Sequence, residues 1–179
     1  VATQIDLVQQ FTLMSVAEAL EDANFAQNNT VNKERVAVIL GNSMGGESSD
    51  DHTIRTRLPE IVNQLRTGDA FTALDQKTQE ALLVDLEHSK DHLPIINEDT
   101  MPGELANVIA GRISNAFDFN GPNYTVDAAC ASSMAAIQMA VKGLRDGEFD
   151  MAVSGGSDRS MGVPTYVKFS KIGALSADI

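Results

Sequence analysis

The fold follows from residues 123–144, which read NYTVDAACASSMAAIQMAVKGL. The turn Asn120-Gly121-Pro122 precedes this stretch, and residues 123–128 predict a strand after it. From residue 131 to residue 144, apolar side chains surround a predicted helix on almost every side, and Arg145 and Gly147 mark its end. A helix that is apolar on all sides has to be covered on all sides. We therefore expect a strand that leads directly into a fully buried helix.

Further patterns continue this alternation of strands and helices along the chain. Residues 7–25 and 103–116 place apolar side chains at helical spacing, and the polar run 24–33 predicts a loop. Residues 36–40 and 151–154 are short apolar runs, which are typical of buried parallel strands, and each of them is followed by glycines. The pattern predicts an α/β fold with a mixed, largely parallel sheet.

Residues 47–100 differ in composition from the sequence on both sides of them. They are polar and predict two helices, near 56–66 and 75–88, rather than strands. We interpret them as a helical insertion or cap on a core made of residues 1–46 and 101–179. All three histidines lie here, and His88 and His92 are four residues apart. A metal site needs a third ligand, so we interpret this pair as part of a solvated helix face and expect no metal.

The composition is that of an ordinary globular protein, with 179 residues of which 43% are hydrophobic and 21% charged. There are 13 Lys and Arg residues against 25 Asp and Glu residues, so the formal net charge is -12. This charge argues against nucleic acids and anionic membrane surfaces as partners. No apolar run approaches the ~20 residues that span a bilayer, and the first residues lack the basic start of a signal peptide. The sequence therefore predicts a cytoplasmic location.

Cys130 is the single cysteine of the chain, which excludes an internal disulfide and a Cys-rich zinc site. It lies where the predicted strand meets the N-terminus of the predicted helix. Unpaired backbone N–H groups and the helix dipole stabilise a thiolate at that place, and a thiolate is a strong nucleophile. Small neighbours leave room for a substrate: Ala128, Ala129, Ala131, Ser132 and Ser133. Position alone leaves open a buried, inert thiol, which is the commoner state of a lone cysteine.

Residues 118–133, DFNGPNYTVDAACASS, closely resemble the active-site cysteine block of β-ketoacyl synthases, the thiolase-fold condensing enzymes of fatty-acid and polyketide synthesis. The resemblance is strong over 103–178, patchy over 1–46 and weak over 47–100. It implies that the chain is the N-terminal half of a thiolase-like fold. The DAACASS form and the diverged residues 47–100 favour iterative synthases of the polyunsaturated fatty-acid type. Other matching residues are QQ at 9–10, AEALEDA at 17–23, Ala135, Ala140, Leu144, Gly147, Asp150, Gly155, Gly156, FSK at 169–171 and GALS at 173–176.

The resemblance also implies a mechanism and a set of partners. Cys130 would take an acyl chain, as a thioester, from the phosphopantetheine of an acyl carrier protein, and its backbone N–H would serve as an oxyanion-hole donor. The family then decarboxylates a malonyl thioester, and the resulting carbanion attacks the acyl group. Two histidines downstream of the cysteine stabilise the enolate in that family, but none of the 49 residues after Cys130 is His. We therefore expect these histidines in a remaining half of the domain, no bound cofactor, an inactive isolated chain, and a homodimer for the complete domain.

Two other functions stay open at this point. Gly41-Asn42-Ser43-Met44-Gly45 matches the G-x-S-x-G nucleophile elbow after a strand, which would make Ser43 the nucleophile of a serine hydrolase. That elbow needs a closely packed helix after it, and the polar residues 47–51 do not predict one. The other function is an inactive ketosynthase-like partner or scaffold. Partners of the chain-length-factor type lack the cysteine, whereas Cys130 is present.

Overall fold

The computed structural model describes residues 4–27 and 30–176. It divides the chain into two compact units, one formed by Val1–Glu47 with Asp99–Ile179 and the other by Ser48–Glu98. Residues 1–3 and 177–179 of the predicted core, and residues 28–29 of the predicted loop, lie outside the described residues. The division falls close to the limits drawn from composition. The interpretation of the second unit as an insertion or cap stays a prediction.

Three parallel strands form the sheet of the first unit. The central strand is β1 (Val36–Gly41), with β2 (Asn123–Val126) on one side and β3 (Met151–Gly156) on the other. Gly41 lies opposite Val126 in one pairing and opposite Gly156 in the other, so all three strands end level at one edge. The predicted α/β fold with a parallel sheet is confirmed for the described residues. β2 is shorter than predicted because the chain leaves the sheet after Val126.

Helices cover both faces of this sheet. On one face, α1 (Leu7–Asp22) and α6 (Ala106–Phe117) pack against Val36, Val38 and Leu40 of β1 in one buried cluster. On the other face, α7 (Ser132–Asp146) packs against Ala37 and Ile39. Successive residues of a strand point to opposite faces. All six residues of β1 are therefore buried, as its continuous apolar run predicts.

Only one side of α7 is covered by the residues described. Ala136 and Ala140 are buried against the sheet, and Gly143 contacts the ring of Phe149. The prediction of a helix buried on every side is therefore wrong for this chain, because no described layer covers the opposite side. The large apolar residues there are exposed, from Ile137 at 39% to Met134 at 67%. We call them the outer face of α7: Met134, Ile137, Met139, Val141 and Leu144.

The predicted helix over 103–116 is two helices, α5 (Thr100–Glu104) and α6, with an extended residue between them. That residue is Leu105, with φ -69° and ψ 124°. The buried amide of Gln9 explains the break, because its Nε2 donates to the carbonyl oxygens of Pro102, Gly103 and Leu105 at 3.0, 2.8 and 3.3 Å. These carbonyls lie where a helix end leaves acceptors unsatisfied, so a distant side chain fixes the place where α5 ends.

The second unit, described by itself, is helical. It contains α2 (Ser48–Arg66), α3 (Asp69–Thr72) and α4 (Gln76–His88), followed by a 3-10 turn at Ser89–His92. The predicted start near residue 56 is wrong, because α2 begins at Ser48. Asp50 and Asp51 lie in its first turn, where negative charge is favourable to a helix. The polarity of residues 47–51 therefore favours a helix N-terminus instead of opposing it.

The edge of the sheet away from the strand ends is fastened by an ion pair. Nε and Nη2 of Arg35, just before β1, each donate to one carboxylate oxygen of Asp150, just before β3, at 2.8 Å. Nη2 also donates to the carbonyl of Gly147, which ends α7 with φ +72°. The hydrogen bond from Arg35 lowers the pKa of Asp150 below its ordinary value. α8 (Val163–Lys171) follows β3. Across residues 4–27 and 30–176, every helix is too short or too polar to cross a lipid bilayer.

Candidate active site

A cavity of about 440 Å³ lies at the edge where the three strands end. Its wall is formed by the residues after β1, the turn that leads into α7, the residues after β3, and α8. Ligands of parallel α/β sheets bind at the carboxyl ends of the strands. The cavity therefore lies where the topology of this sheet places a site.

Cys130 lies on the wall of this cavity and its side chain is exposed. It is the middle residue of a 3-10 turn, Ala129–Ala131, that joins the end of β2 to Ser132, the first residue of α7. The predicted position of Cys130, between a strand and the N-terminus of a helix, is confirmed. In this chain the thiol is accessible, unlike the buried cysteine that position alone left open.

The turn around Cys130 is strained and is held by side chains on both sides of it. Ala129 has φ +51°, a left-handed conformation that costs a non-glycine residue about 1–2 kcal/mol. Its N–H donates to Oδ1 of Asp127 at 2.9 Å. The hydroxyl of Ser132 donates to the carbonyl of Ala129 at 2.6 Å and accepts from the N–H of Ala128 at 2.9 Å. Such strain persists only where the surroundings over-determine it, so the place of Cys130 is fixed by Asp127 and Ser132.

Two glycines bring this turn close to the sheet. A methyl group on Gly41 would lie 2.4 Å from the backbone carbon of Ser132, and one on Gly156 would lie 2.6 Å from Cβ of Ser133. The first turn of α7 therefore rests directly on the ends of β1 and β3. The sequence patterns above did not predict this role. The available signal is that both apolar strands end in glycine opposite a helix that begins with small residues.

Ser43 lies on the wall of the same cavity, after the end of β1, and is exposed. Among residues 4–27 and 30–176, the non-glycine residues with positive φ are Asn24, Asp118 and Ala129. Ser43 therefore lacks the strained backbone of a nucleophile elbow, and the strain lies beside Cys130 instead. The helix after Ser43, α2, begins only at Ser48.

The three histidines belong to the second unit, with His52 in α2, His88 at the end of α4, and His92 in the turn that follows. In the part of the chain that the structure describes, no group of three His, Cys, Asp or Glu side chains could hold a metal ion. The arrangement in the first unit offers an exposed thiol, a rigid turn and a cavity beside it.

A family model described as the N-terminal domain of β-ketoacyl synthase matches residues 1–179. The chain belongs to the β-ketoacyl synthase family. A polyunsaturated fatty acid synthase subunit from Thraustochytrium sp. is 34% identical to this ketosynthase sequence over 175 residues, which are 97% of this chain and 6% of that protein. The polyketide synthase component of compactin nonaketide synthase from Penicillium citrinum is 45% identical over 74 residues, which are 41% of this chain and 2% of that protein. The chain thus spans a small part of these relatives.

Solved ketosynthases share the fold of this chain. The oxazolomycin ketosynthase domain of Streptomyces albus JA3453 superposes with a TM-score of 0.62 at 24% identity, over 99% of this chain and 24% of that one. The ketosynthase ApeO of Xenorhabdus doucetiae, in complex with its chain length factor ApeC, gives a TM-score of 0.62 at 20% identity, over 92% of this chain and 33% of that one. The thiolase-like fold that the sequence predicts is confirmed by these neighbours.

We expect Ser132→Ala to loosen the turn that carries Cys130. The substitution leaves the N–H of Ala128 and the carbonyl of Ala129 without their hydroxyl partner, a loss of about 1–3 kcal/mol. In the full-length protein, the melting temperature of the domain and the acylation rate of Cys130 should both fall. The control is Ser114→Ala on α6, because Ser114 is also buried and its hydroxyl has no hydrogen-bond partner among the described residues. If the two variants behave alike, the Ser132 hydroxyl does not hold the turn.

Proposed function

We propose that this chain is the N-terminal half of a ketosynthase domain that condenses acyl and malonyl thioesters in fatty-acid or polyketide synthesis. The observation that carries the proposal is the exposed thiol of Cys130, held beside the cavity on a rigid turn at the N-terminus of α7. Family membership supports the class of reaction. The 34% identity over 97% of the chain to one component of a polyunsaturated fatty acid synthase supports an iterative synthase of that kind.

In the first proposed step, the thiolate of Cys130 attacks the acyl carbonyl of a thioester carried on the phosphopantetheine of an acyl carrier protein. A carbon–sulfur bond to Cys130 forms, the bond to the carrier sulfur breaks, and the carrier leaves as a thiol once protonated. The backbone N–H of Cys130 donates to the oxyanion. The amides on either side support this role, because those of Ala129 and Ala131 are taken by Asp127 and the carbonyl of Ala128, which fixes the amide between them.

In the second proposed step, a malonyl thioester loses carbon dioxide and its carbanion attacks the acyl carbonyl on Cys130. A carbon–carbon bond forms and the thiolate of Cys130 is released. Two histidines of the remaining half stabilise the enolate, and the complete domain is a homodimer. Since the chain carries a net charge of -12, a basic docking surface for an acidic carrier protein is either local or lies in that half.

Peptide mapping tests this assignment. The full-length protein is incubated with a pantetheine acyl thioester, digested and analysed by mass spectrometry. The expected product is an acyl group on the peptide that contains Cys130, released by neutral hydroxylamine as a thioester is. Labelling of Ser43 by a fluorophosphonate, with no acyl group on Cys130, would favour the serine hydrolase. Acylation of neither residue would favour an inactive partner or scaffold.

We also propose that the remaining half of the domain covers the outer face of α7. Isolated residues 1–179 should then aggregate, because exposed apolar surface of this kind drives association, and light scattering should detect it. Met134→Glu with Met139→Glu should reduce the aggregation. Met14→Glu on α1 is the control, since Met14 is 59% exposed but lies outside that face. A purified chain that is a monomer with cooperative melting would contradict the proposal.

A further inference from the structure

Asn42 is the residue that joins the ends of all three strands. It follows β1 directly and is only 4% exposed. Its backbone N–H donates to the carbonyl of Val126, the last residue of β2, at 3.1 Å. Its side-chain Nδ2 donates to the carbonyl of Ser157, the residue after β3, at 2.8 Å. A buried amide with partners on two other strands is a fixed point of the structure, because each of these bonds would have to break for one strand end to move.

The side chain of Asn42 also shapes its own loop. Oδ1 accepts from the N–H of Gly45 at 2.8 Å, and Nδ2 makes a longer contact of 3.3 Å with the carbonyl of the same residue. One side chain therefore closes residues 42–45, which we call the β1 loop, and ties them to residues 157–160, which we call the β3 loop. Both loops line the cavity, on the two sides of the turn that carries Cys130.

A second link between the same parts of the chain is weaker. Nη1 of Arg159 lies 3.2 Å from Oε2 of Glu47, but both side chains are about one-third exposed, at 34% and 30%. Exposed ion pairs of this kind contribute little because water screens them. The spacing of the β1 and β3 loops therefore depends mainly on the buried amide of Asn42.

We infer that Asn42 is a positioning residue for acyl loading, which sets the distance between the two cavity walls that receive the acyl chain. This inference rests on the proposed function. Asn42 has no role in breaking or forming bonds, and it leaves the thiol of Cys130 as accessible as it is without it. Its effect is on long acyl chains, which contact both walls, and not on acetyl groups or small electrophiles, which need only the thiol.

The chemistry of the amide makes the assignment testable with a nearly isosteric change. Asn42→Asp keeps the acceptor toward the N–H of Gly45 but replaces the Nδ2 donor with an oxygen that faces the carbonyl of Ser157. Burial raises the pKa of such a carboxyl group. As the pH falls, the protonated form regains an O–H donor toward Ser157. The variant should therefore recover relative to wild type at lower pH, which a general loss of packing would not produce.

The experiment measures three reactions of Cys130 in the full-length protein: alkylation by iodoacetamide, loading from acetyl-pantetheine, and loading from dodecanoyl-pantetheine. For Asn42→Asp at neutral pH, the half-saturating concentration of the dodecanoyl thioester should rise about tenfold, the scale of one lost hydrogen bond to a carbonyl. The other two rates should change less than about twofold by the same argument. Asn120→Asp, the same substitution at an exposed site outside the cavity, should leave all three reactions unchanged.

Each remaining outcome overturns the inference. Equal losses in all three reactions, with a lower melting temperature and no recovery at low pH, would show a merely structural role. No change in dodecanoyl loading would show that Asn42 does not set the wall spacing. Asn42→Ala, which adds no charge, gives the same comparison if the aspartate variant does not fold. A wild-type protein that reacts with iodoacetamide but accepts no acyl group would instead refute the proposed function, and the inference with it.

Discussion

Replacing Cys130 with alanine is expected to abolish acyl loading of the full-length protein, to below about one-thousandth of the wild-type rate, as removal of a nucleophile does in other acyl-transfer enzymes. The chain has no second cysteine that could take its place. The measurement is intact-mass or peptide analysis after incubation with an acyl-pantetheine thioester. Because the side chain of Cys130 is exposed, its removal should leave the melting temperature of the domain unchanged.

Cys130→Ser separates nucleophilicity from shape. A hydroxyl keeps the size and polarity of the side chain, but it is a far weaker nucleophile than a thiolate without an adjacent base. We expect the serine variant to lose loading as completely as the alanine variant does. Loading that persists in Cys130→Ala would disprove the assignment and would direct attention to Ser43 on the same cavity wall.

Gly41→Ala is expected to have the second largest effect. The new methyl group would lie 2.4–2.5 Å from three backbone atoms, the carbon and oxygen of Ser132 and the nitrogen of Ser133. Backbone atoms cannot rotate away as a side chain can, so the first turn of α7 has to move. Overpacking of this kind costs about 1–3 kcal/mol or more. A displacement of about 1 Å at a reacting group can reduce the rate about 100-fold.

The control for this variant is Gly111→Ala on α6. A methyl group there would lie 3.6 Å from Oδ1 of Asn123, which is an ordinary contact. Alanine also stabilises a helix interior by about 0.5–1 kcal/mol relative to glycine. Melting temperatures and acyl-loading rates of the two variants should therefore move apart. Wild-type values for Gly41→Ala would mean that α7 does not depend on close contact with the end of β1.

Local patterns predict the parts of this site that depend on neighbours in the sequence. The step from strand to helix at Cys130 follows from residues 123–144, and the end of α7 follows from Gly147. Other features depend on contacts that are distant in sequence and leave no local pattern. The break at Leu105 needs the amide of Gln9, and the role of Asn42 becomes visible only when three strands are known to end level.

Two errors in the predictions have different physical causes. The predicted start of α2 is too late because acidic residues oppose a helix only in its interior or at its end, whereas Asp50 and Asp51 at the N-terminus favour one. The full burial predicted for α7 follows correctly from its apolar residues, but the described chain supplies only one covering layer. Amino-acid composition records what a helix needs in its final environment, and this chain contains part of that environment.

The order of the strands in the chain also fixes an order of assembly. β1, the central and most apolar strand, is synthesised first, and neither of its partners exists until the whole second unit has followed. Parallel pairing over such a separation is slow, since the entropy of closing the intervening chain is lost before any contact forms. A new polypeptide therefore holds an unpaired apolar strand throughout that interval, the condition under which chaperones are needed. The pocket next to Cys130 is completed last of all, after the residues that follow β3 have left the ribosome.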